Sequence, residues 1–567
     1  MYCRHCGAII NDNVKFCTNC GRSLAVEPAA APKPAAAPIP EAPKPAPAPA
    51  PAKTPVSRPV YDTARPAAPP KDRTGKYILK RAIFCVIALI LGIVCALILT
   101  RHLYPAGPNG GPGGPQIPIA LLLERTVSTL MFILVPLITA FVIGIMTGFA
   151  RHAGPKNILR TIAAVLKSLT PFAGGLFLLY VFAVRLALVP LSGLVSPSAY
   201  IIPMFALFLP LTGFMIDAAT NNGHREGFAG GVAAAAAFAA DKMPAIVLVE
   251  IFTEWALSLP GLGTLSATVL SSRASGIAPV MIVYAVIIYI LKLIFDMIAA
   301  IAAKGDPAPQ VYAGIKGSKT PNGLLIAGII AAGIMFLIAA GLWLTAEDGL
   351  YAMDPGAILL APGKAGHILG TDHLGRDFYA QLVYALRNTV IIGITNAVIA
   401  VILGVVFGLL TGFLKGIACD IFKGITYVFG YGTAFSILLF ISVRDLTLSP
   451  FYLVGLFGWG GIAGAIAGAI KTKKSSPLAK TSLMVPALSQ VIQVFCWAVI
   501  LISGFSLFGL GNVNPGFPTL GYLLGTGRMV LTRSPHLFML PAAVMIVLLI
   551  AFHLLKAGLS SKEKRNY

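Results

Sequence analysis

Charged residues are scarce in this sequence of 567 residues. Asp, Glu, Lys and Arg make up 11% of it, whereas 57% of the residues are hydrophobic. A soluble globular protein carries about 25% charged residues, so this composition argues against one. Acidic residues are especially few, and the formal net charge is +22. That charge would favour nucleic-acid binding in a soluble protein, but in a membrane protein it indicates basic residues collected in cytoplasmic loops. We therefore expect no nucleic-acid partner.

Two functional signals are also missing. The first 75 residues contain no apolar segment of the kind that forms a secretory signal peptide. No Walker A sequence occurs, because residues 314–320 (GIKGSKT) have the wrong spacing and follow no predicted strand. We therefore expect that the chain does not hydrolyse ATP and is not an enzyme.

Half of the cysteines lie at the start of the chain. Residues 1–24 contain two C-x-x-C pairs, each followed by glycine, and the four cysteines are Cys3, Cys6, Cys17 and Cys20. Four thiolates at this spacing suit one tetrahedral structural Zn²⁺, and a segment this short needs such a staple to fold. A redox pair or a disulfide is the alternative. The spacing predicts a small zinc ribbon in a reducing compartment, and thus in the cytosol.

Proline and alanine dominate residues 25–75. Proline at this density disfavours helices and sheets and favours extended polyproline II. The composition predicts a spacer between the zinc ribbon and the rest of the chain, not a domain.

Apolar segments of spanning length recur from residue 77 to the C-terminus. They predict an all-α polytopic membrane protein with about twelve transmembrane helices, six in residues 76–305 and six in residues 323–567, joined by a cytoplasmic connector at 306–322. The segments lie near residues 77–99, 127–149, 158–184, 200–219, 231–252, 277–303, 323–345, 388–414, 421–442, 450–470, 483–505 and 537–556.

The polar lead-in to the eighth segment carries the most specific motif. Residues 370–377 read GTDHLGRD, and Leu382, Tyr384, Arg387 and Thr389 follow in step. The motif resembles G-T-D-x-x-G-R-D followed by L-x-Y-G-x-R-x-(S/T) in dipeptide/oligopeptide/nickel-type ABC-transporter permeases. The resemblance implies signature residues at Gly370, Thr371, Asp372, Gly375, Arg376 and Asp377.

Residues 76–305 resemble the other permease subunit of that family. The similar stretches are YILKR at 77–81, LLER at 122–125 and PGLG at 260–263. The family has a continuous V-E-x-x-F-S-W-P-G-L-G. Aligned on Val249-Glu250, residues 256–259 intervene between Trp255 and the proline. The C-terminal half contains FSLFGLG at 505–511 and PTLG at 518–521. Together these matches imply both permease subunits fused in one chain.

Glu250 is a candidate pathway residue. A carboxylate inside an apolar segment costs about 2.5–3.5 kcal/mol on insertion scales and should therefore face protein or water. It either lines the permeation route or lies at a helix end with a hydrogen-bonding neighbour, and the sequence alone leaves both open.

The resemblance implies a permease that imports peptides or a related small solute across a bacterial cell membrane, with both termini cytoplasmic. ABC ATPase subunits, an extracellular solute-binding protein and the lipid bilayer would be its partners. The family's cytoplasmic E-A-A loops, which dock the ATPase, correspond here to 220–228 and 471–481, and both lack that pattern. The alternative is therefore a non-transporting scaffold or sensor that recruits a cytosolic partner through its zinc ribbon.

Overall fold

The structure is a computed structural model, and all its described residues lie within the unit Lys71–Tyr567. Several predicted features lie outside the described residues: the four zinc ligands, the connector 306–322, nearly all of the linker, residues 221–227 of the first loop that replaces the E-A-A pattern and residues 476–481 of the second. The structure describes residues 74–103, 117–149, 156–190, 197–220, 228–271, 277–304, 323–341, 352–430, 452–475, 484–509 and 517–564.

The described residues form α-helices with short turns, and within them the only pairing of β type is two isolated bridges in the loop before residue 378. In chain order the helices are α1 Thr74–Leu103, α2 Ile119–Phe149, α3 Lys156–Ser168, α4 Pro171–Leu179, α5 Ile201–Thr220, α6 Phe228–Ala256, α7 Leu262–Ser271, α8 Ile277–Ala303, α9 Gly323–Gly341, α10 Phe378–Phe413, α11 Gly416–Ile425, α12 Leu453–Phe457, α13 Gly460–Ser475, α14 Met484–Leu507, α15 Leu520–Met529 and α16 His536–Lys564.

Nine helices within the described ranges are long and apolar enough to cross a bilayer, and a bent pair brings the number to ten. These ten coincide with ten of the twelve predicted spans. Of the other two, 323–345 contains the shorter apolar helix Gly323–Ile338, and 421–442 extends beyond the described residues. The prediction of an all-α polytopic membrane protein is confirmed.

Apolar side chains cover the outside of this helical body. Ile90 on α1, Leu337 on α9 and Ile402 on α10 are each more than half exposed. Charged side chains such as Lys167 and Lys292 are buried instead. In water this distribution would leave a large apolar surface uncovered, whereas in a bilayer the same surface contacts lipid.

A sharp bend separates α3 from α4. The two helices meet at an angle of 80° across a break at Leu169 and Thr170. Pro171 is the first residue of α4, where its missing N–H costs nothing and its fixed φ favours a new helix start. The bend places the end of α3 among helices from both parts of the chain, and it packs on α5 and α16.

A similar pattern of helix contacts occurs in the N-terminal and C-terminal parts of the chain. In the N-terminal set, which we define as α1–α8, α2 packs on α5, α6 and α7, and α1 packs on α8. In the C-terminal set, α9–α16, α10 packs on α13, α14 and α15, and α9 packs on α16. The last contact is a close backbone crossing, because a Cβ on Gly328 or Gly558 would collide with backbone of the opposite helix.

Candidate functional site

The signature residues 370–377 form a folded loop that begins α10. Asp372 lies at its centre and accepts hydrogen bonds from the backbone N–H groups of Leu374 and Arg376, both at 2.9 Å. The Arg376 guanidinium binds the second carboxylate oxygen at 2.7 Å, and the Gln381 amide donates to it at 2.9 Å. Arg376 is only 2% exposed. The loop therefore contains a buried ion pair whose polar atoms are well supplied with partners.

Hydrogen bonds together outweigh burial in their effect on the pKa of Asp372. Burial would raise the pKa of its carboxyl, but the backbone and side-chain hydrogen bonds from Arg376, with those from Gln381 and Leu374, lower the pKa below its usual value. This loop lies outside the membrane-spanning helices, so the carboxylate is ionised at neutral pH and holds Arg376 in place.

Two signature glycines are required by the shape of this loop. Gly370 has φ +79° and Gly375 has φ +74°, in the left-handed region that side chains disfavour. A Cβ on Gly375 would also collide with the Asp354 carbonyl oxygen, and one on Gly370 would collide with that of Leu360. Close backbone approach and positive φ together account for glycine at both positions.

The remaining signature residues fix the helix start. Asp377 is the N-cap of α10, because its carboxylate accepts from the Ala380 N–H at 3.0 Å, and its other oxygen contacts His367 Nδ1 at 2.9 Å. Thr371 accepts from the Leu360 N–H at 2.9 Å. The structure thus brings all six predicted signature residues together, and their visible contacts order the loop and the helix.

Glu250, the candidate pathway residue, is fully buried in α6. Neither carboxylate oxygen has a hydrogen-bond partner among the described residues. Glu254, one helical turn later, projects from the same face and does have partners. It accepts from the Thr129 hydroxyl at 2.6 Å and from the Gly263 N–H at 2.6 Å. The hydrogen-bonded carboxylate at the end of α6 is therefore Glu254, which the sequence analysis did not single out.

A signal for Glu254 was present in the sequence. In the family pattern the glutamate precedes the proline of P-G-L-G by six residues, and Glu254 stands six residues before Pro260. Read backwards from that proline, the pattern needs no inserted residues and places its serine at Ser258. The glutamate is then the one whose side chain packs against Gly261, where an added Cβ would collide with its carboxylate.

The same type of hydrogen bond, from the start of a short helix to a threonine hydroxyl, occurs in both helix sets. The Leu262 N–H, at the start of α7, donates to the Thr129 hydroxyl oxygen on α2 at 2.9 Å. In the C-terminal set the Leu520 N–H, at the start of α15, donates to the Thr389 hydroxyl oxygen on α10 at 3.0 Å. Each threonine satisfies a helix N-terminal N–H that has no partner within its own helix. The same local structure therefore recurs in both halves of the chain.

The two sets meet at one end through an arginine and aromatic rings. Arg528 donates to the Ser258 hydroxyl at 2.8 Å, and its guanidinium lies 4.6 Å from the centre of the Trp255 ring. Phe508 packs on the same tryptophan at 4.6 Å, and Phe252 lies 5.0 Å from Phe505. These contacts join the C-terminal ends of α6 and α14 with α15.

Buried polar groups join the sets nearer the opposite ends of the helices. Asp217 on α5 pairs with Lys167 at 2.8 Å and with Lys556 of α16 at 3.5 Å. Ser168 lies 3.0 Å from His553 Nδ1. A second buried polar contact between the sets is made by Tyr427, which follows α11. Its hydroxyl donates to the Asp296 carboxylate on α8 in the N-terminal set.

No group of three or more metal-binding side chains occurs within the described ranges. The predicted zinc site lies outside them, but comparison with known families bears on it. Residues 2–24 match the zinc-ribbon domain family. The chain therefore begins with a zinc-ribbon domain, and its four cysteines are a donor set that suits zinc.

The chain is also similar to a known transport protein. It shares 27% identity over 295 residues with a protein of Sinorhizobium fredii (strain NBRC 101917 / NGR234) described as a probable peptide ABC transporter permease. The match covers 94% of that protein and 45% of this chain. Together with the apolar helices, this similarity supports a membrane permease.

Proposed function

We propose that the chain is the transmembrane component of an ABC transporter, in which two permease subunits are fused. The N-terminal and C-terminal sets would enclose one route across a bacterial cell membrane, with both termini in the cytosol. Separate ATPase subunits would hydrolyse ATP, and an extracellular binding protein would deliver a peptide or a related small solute. The zinc ribbon would bind one structural Zn²⁺ through Cys3, Cys6, Cys17 and Cys20.

The recurring threonine contact carries this proposal. Thr129 and Thr389 each hold the first N–H of a short helix that follows a longer one, with partners 133 and 131 residues away. Such a repeat is the expected product of two related subunits joined head to tail. The matched relative supports this view, because nearly all of its length corresponds to less than half of the chain.

Contacts between the sets supply the second support. A transporter needs two bundles whose interface can rearrange, and inverted or repeated bundles commonly provide it. The Arg528–Ser258 hydrogen bond and the Lys556–Asp217 ion pair lie in that interface. Both contacts would have to exchange partners when the two sets rearrange.

Reconstitution tests the proposal directly. The full chain would be placed in liposomes with candidate ATPase and binding-protein partners, and peptide uptake would be measured with ATP and with a non-hydrolysable analogue. We expect uptake only with ATP and with all partners present. An ATPase variant that binds but does not hydrolyse ATP is the matched control. Equal uptake in that control, or none with the complete set of partners, would reject this function.

A second function is favoured by the absence of the E-A-A pattern in 220–228 and 471–481. Without that link to an ATPase, the chain would serve as a membrane scaffold or sensor that recruits a cytosolic partner through the zinc ribbon. Affinity purification of the full chain separates the two functions. Stable ATPase subunits whose hydrolysis responds to solute support transport, whereas their absence together with a partner that depends on Cys3 supports the scaffold.

A further inference from the structure

Two buried carboxyl groups lie one helical turn apart on α6. Glu250 and Glu254 are both 0% exposed. Residues four apart in a helix lie on one face with their Cβ atoms about 5–6 Å from each other, so the two carboxyl groups are within reach of one another. Inside a bundle that lipid surrounds, a charge is costly unless another group compensates it. The charge state of one glutamate therefore depends on that of the other.

The two glutamates differ in their hydrogen-bond partners. Glu254 Oε1 accepts from the Thr129 hydroxyl and Oε2 accepts from the Gly263 N–H, both at 2.6 Å. Donors of this kind stabilise an ionised carboxylate. Neither oxygen of Glu250 has a partner among the described residues. The surroundings therefore favour a charge on Glu254 and disfavour one on Glu250.

No basic group among the described residues compensates a charge on Glu250. The charged group that acts on Glu250 is Glu254, whereas Arg125 of α2 acts on Glu254. The titratable group on α8 is Tyr284, whose hydroxyl lies 3.1 Å from the Ser266 hydroxyl of α7. Of the described residues in α4, α5 and α14, which also pack on α6, none brings a charge to the pair. A buried carboxylate without a counter-ion is so costly that it takes up a proton instead.

We propose that Glu250 and Glu254 form a proton-binding site inside the N-terminal set, in which Glu250 carries the proton and Glu254 carries the charge. As an uncharged acid, Glu250 gains an O–H that can donate to the Glu254 carboxylate, whose oxygens each retain a lone pair. A proton needs no cavity, so the site agrees with the full burial of both side chains. The inference is independent of the proposed function, because it depends on contacts among α2, α6, α7 and α8.

Infrared spectroscopy of the purified full chain detects the proton directly. A neutral carboxylic acid has a carbonyl stretch at higher frequency than the carboxylate and amide bands. An unperturbed glutamate has a pKa of about 4.3, so it contributes almost no acid band at pH 7. We expect an acid band in the wild type at pH 7 that Glu250→Gln removes. If Glu250→Gln removes a carboxylate band and leaves the acid bands unchanged, Glu250 is ionised and the inference is overturned.

Two further substitutions of glutamate by glutamine isolate the effect. Glu124→Gln is the control, because Glu124 is exposed near the start of α2 and should lose carboxylate absorption only. Glu254→Gln should keep the acid band of Glu250 but shift its frequency, because the O–H loses its ionised acceptor. An unshifted band in this variant would mean that the two glutamates do not form one site, and would reject the pair.

Thermal unfolding at the same pH shows whether the variants retain the native structure. Glu250→Gln replaces one uncharged polar group by another of similar size, so it should keep the unfolding temperature of the wild type. A large decrease would mean that a charged partner binds Glu250, and would contradict the inference. If Glu250→Gln does not fold, Glu250→Asp replaces it in the infrared measurement. Its acid band should shift in frequency, whereas an unchanged acid band would assign the proton to another residue.

Discussion

The hydroxyl of Tyr427 donates a 2.6 Å hydrogen bond to the Asp296 carboxylate across the two helix sets. The same ring also carries two cations, with Arg81 at 4.2 Å and Lys292 at 4.4 Å from its centre. Arg81 and Asp296 come from the first and last helices of the N-terminal set, whereas Tyr427 follows α11. Tyr427 of the C-terminal set therefore binds a buried carboxylate of the N-terminal set.

Tyr427→Phe should destabilise the chain by about 1–3 kcal/mol. The substitution keeps the ring beneath both cations but leaves the buried Asp296 carboxylate without its hydroxyl donor. Thermal unfolding of the purified protein in detergent measures the effect. Tyr452→Phe is the control because Tyr452 is 42% exposed, and it should change little. Equal unfolding temperatures for the two variants would show that the Tyr427 hydroxyl contributes no stability.

Hydropathy predicted most of the membrane helices, because a span needs about 20 apolar residues and that signal is local. Ten spans were found in this way. The contacts at Tyr427 were not, since they join residues 131 positions apart and depend on how the two sets meet. The sequence also indicates bends within membrane spans only weakly. Residues 158–184 were predicted as one span, but the chain turns by 80° before Pro171.

The candidate site likewise contains residues that the sequence could predict and residues that it could not. The signature at 370–377 was predictable because its residues contact each other within a few positions, as the Asp372–Arg376 pair does. Glu254 was overlooked because alignment from Val249 draws attention to Glu250, and only the fold reveals which carboxylate reaches Thr129. The ion pairs of Asp217 join α3, α5 and α16, and no spacing in the sequence indicates them.

Asp372→Asn should loosen the loop before α10. The variant leaves the buried Arg376 guanidinium without its counter-ion, a change that costs about 3–5 kcal/mol at buried pairs. Faster limited proteolysis within residues 352–377 is the expected result. Asp354→Asn is the control, because Asp354 is exposed and its carboxylate accepts from the nearby Gly356 N–H alone among the described residues. Identical cleavage of the two variants would contradict a central role for the pair.

The same loop should lose stability only in acid. The native pKa of Asp372 lies below the value of about 3.9 for an unperturbed aspartate. Since the native state binds the proton more weakly, the stabilisation is complete above that unfolded-state value and is lost as pH falls through the native pKa. Proteolysis with an acid-active protease should accelerate below about pH 4 in the wild type, whereas Asp372→Asn should be cleaved with little dependence on this group. Loss of protection near pH 6 would assign the effect elsewhere.

Gly375→Ala should be far more damaging than Gly363→Ala. Both glycines have positive φ, at +74° and +81°. A Cβ on Gly375 would collide with the Asp354 carbonyl oxygen, whereas the space around Gly363 is open. Gly363→Ala is the control, and it should lower the free energy of unfolding only by the conformational penalty of about 1 kcal/mol. Unfolding temperatures of the two variants decide the matter, and a similar loss in both would mean that the loop moves to accommodate the methyl group.

Arg528 and Ser258 should be energetically coupled across the two sets. A double-mutant cycle with Arg528→Ala and Ser258→Ala should give a coupling of about 0.5–1.5 kcal/mol for their 2.8 Å hydrogen bond. Arg528→Ala alone should cost more, because it also removes the contact with the Trp255 ring. Arg533 lies in the turn that follows α15 and is exposed, so Arg533→Ala should show no coupling to Ser258→Ala. A cycle that closes to zero for Arg528 as well would mean that the two residues act independently.

Metal content tests the N-terminal domain. Residues 2–24 match a zinc-ribbon domain, and four thiolates should hold one Zn²⁺ with the high affinity of closed structural sites. The purified full chain should therefore contain about one zinc, and Cys17→Ser should reduce this strongly, because a site with three thiolates is open to chelators. Elemental analysis after dialysis against a chelator makes the measurement. Cys419→Ser, which alters a buried thiol of the membrane body, should retain the zinc. Equal zinc in both variants, or thiols at the N-terminus found joined as disulfides, would favour the redox alternative.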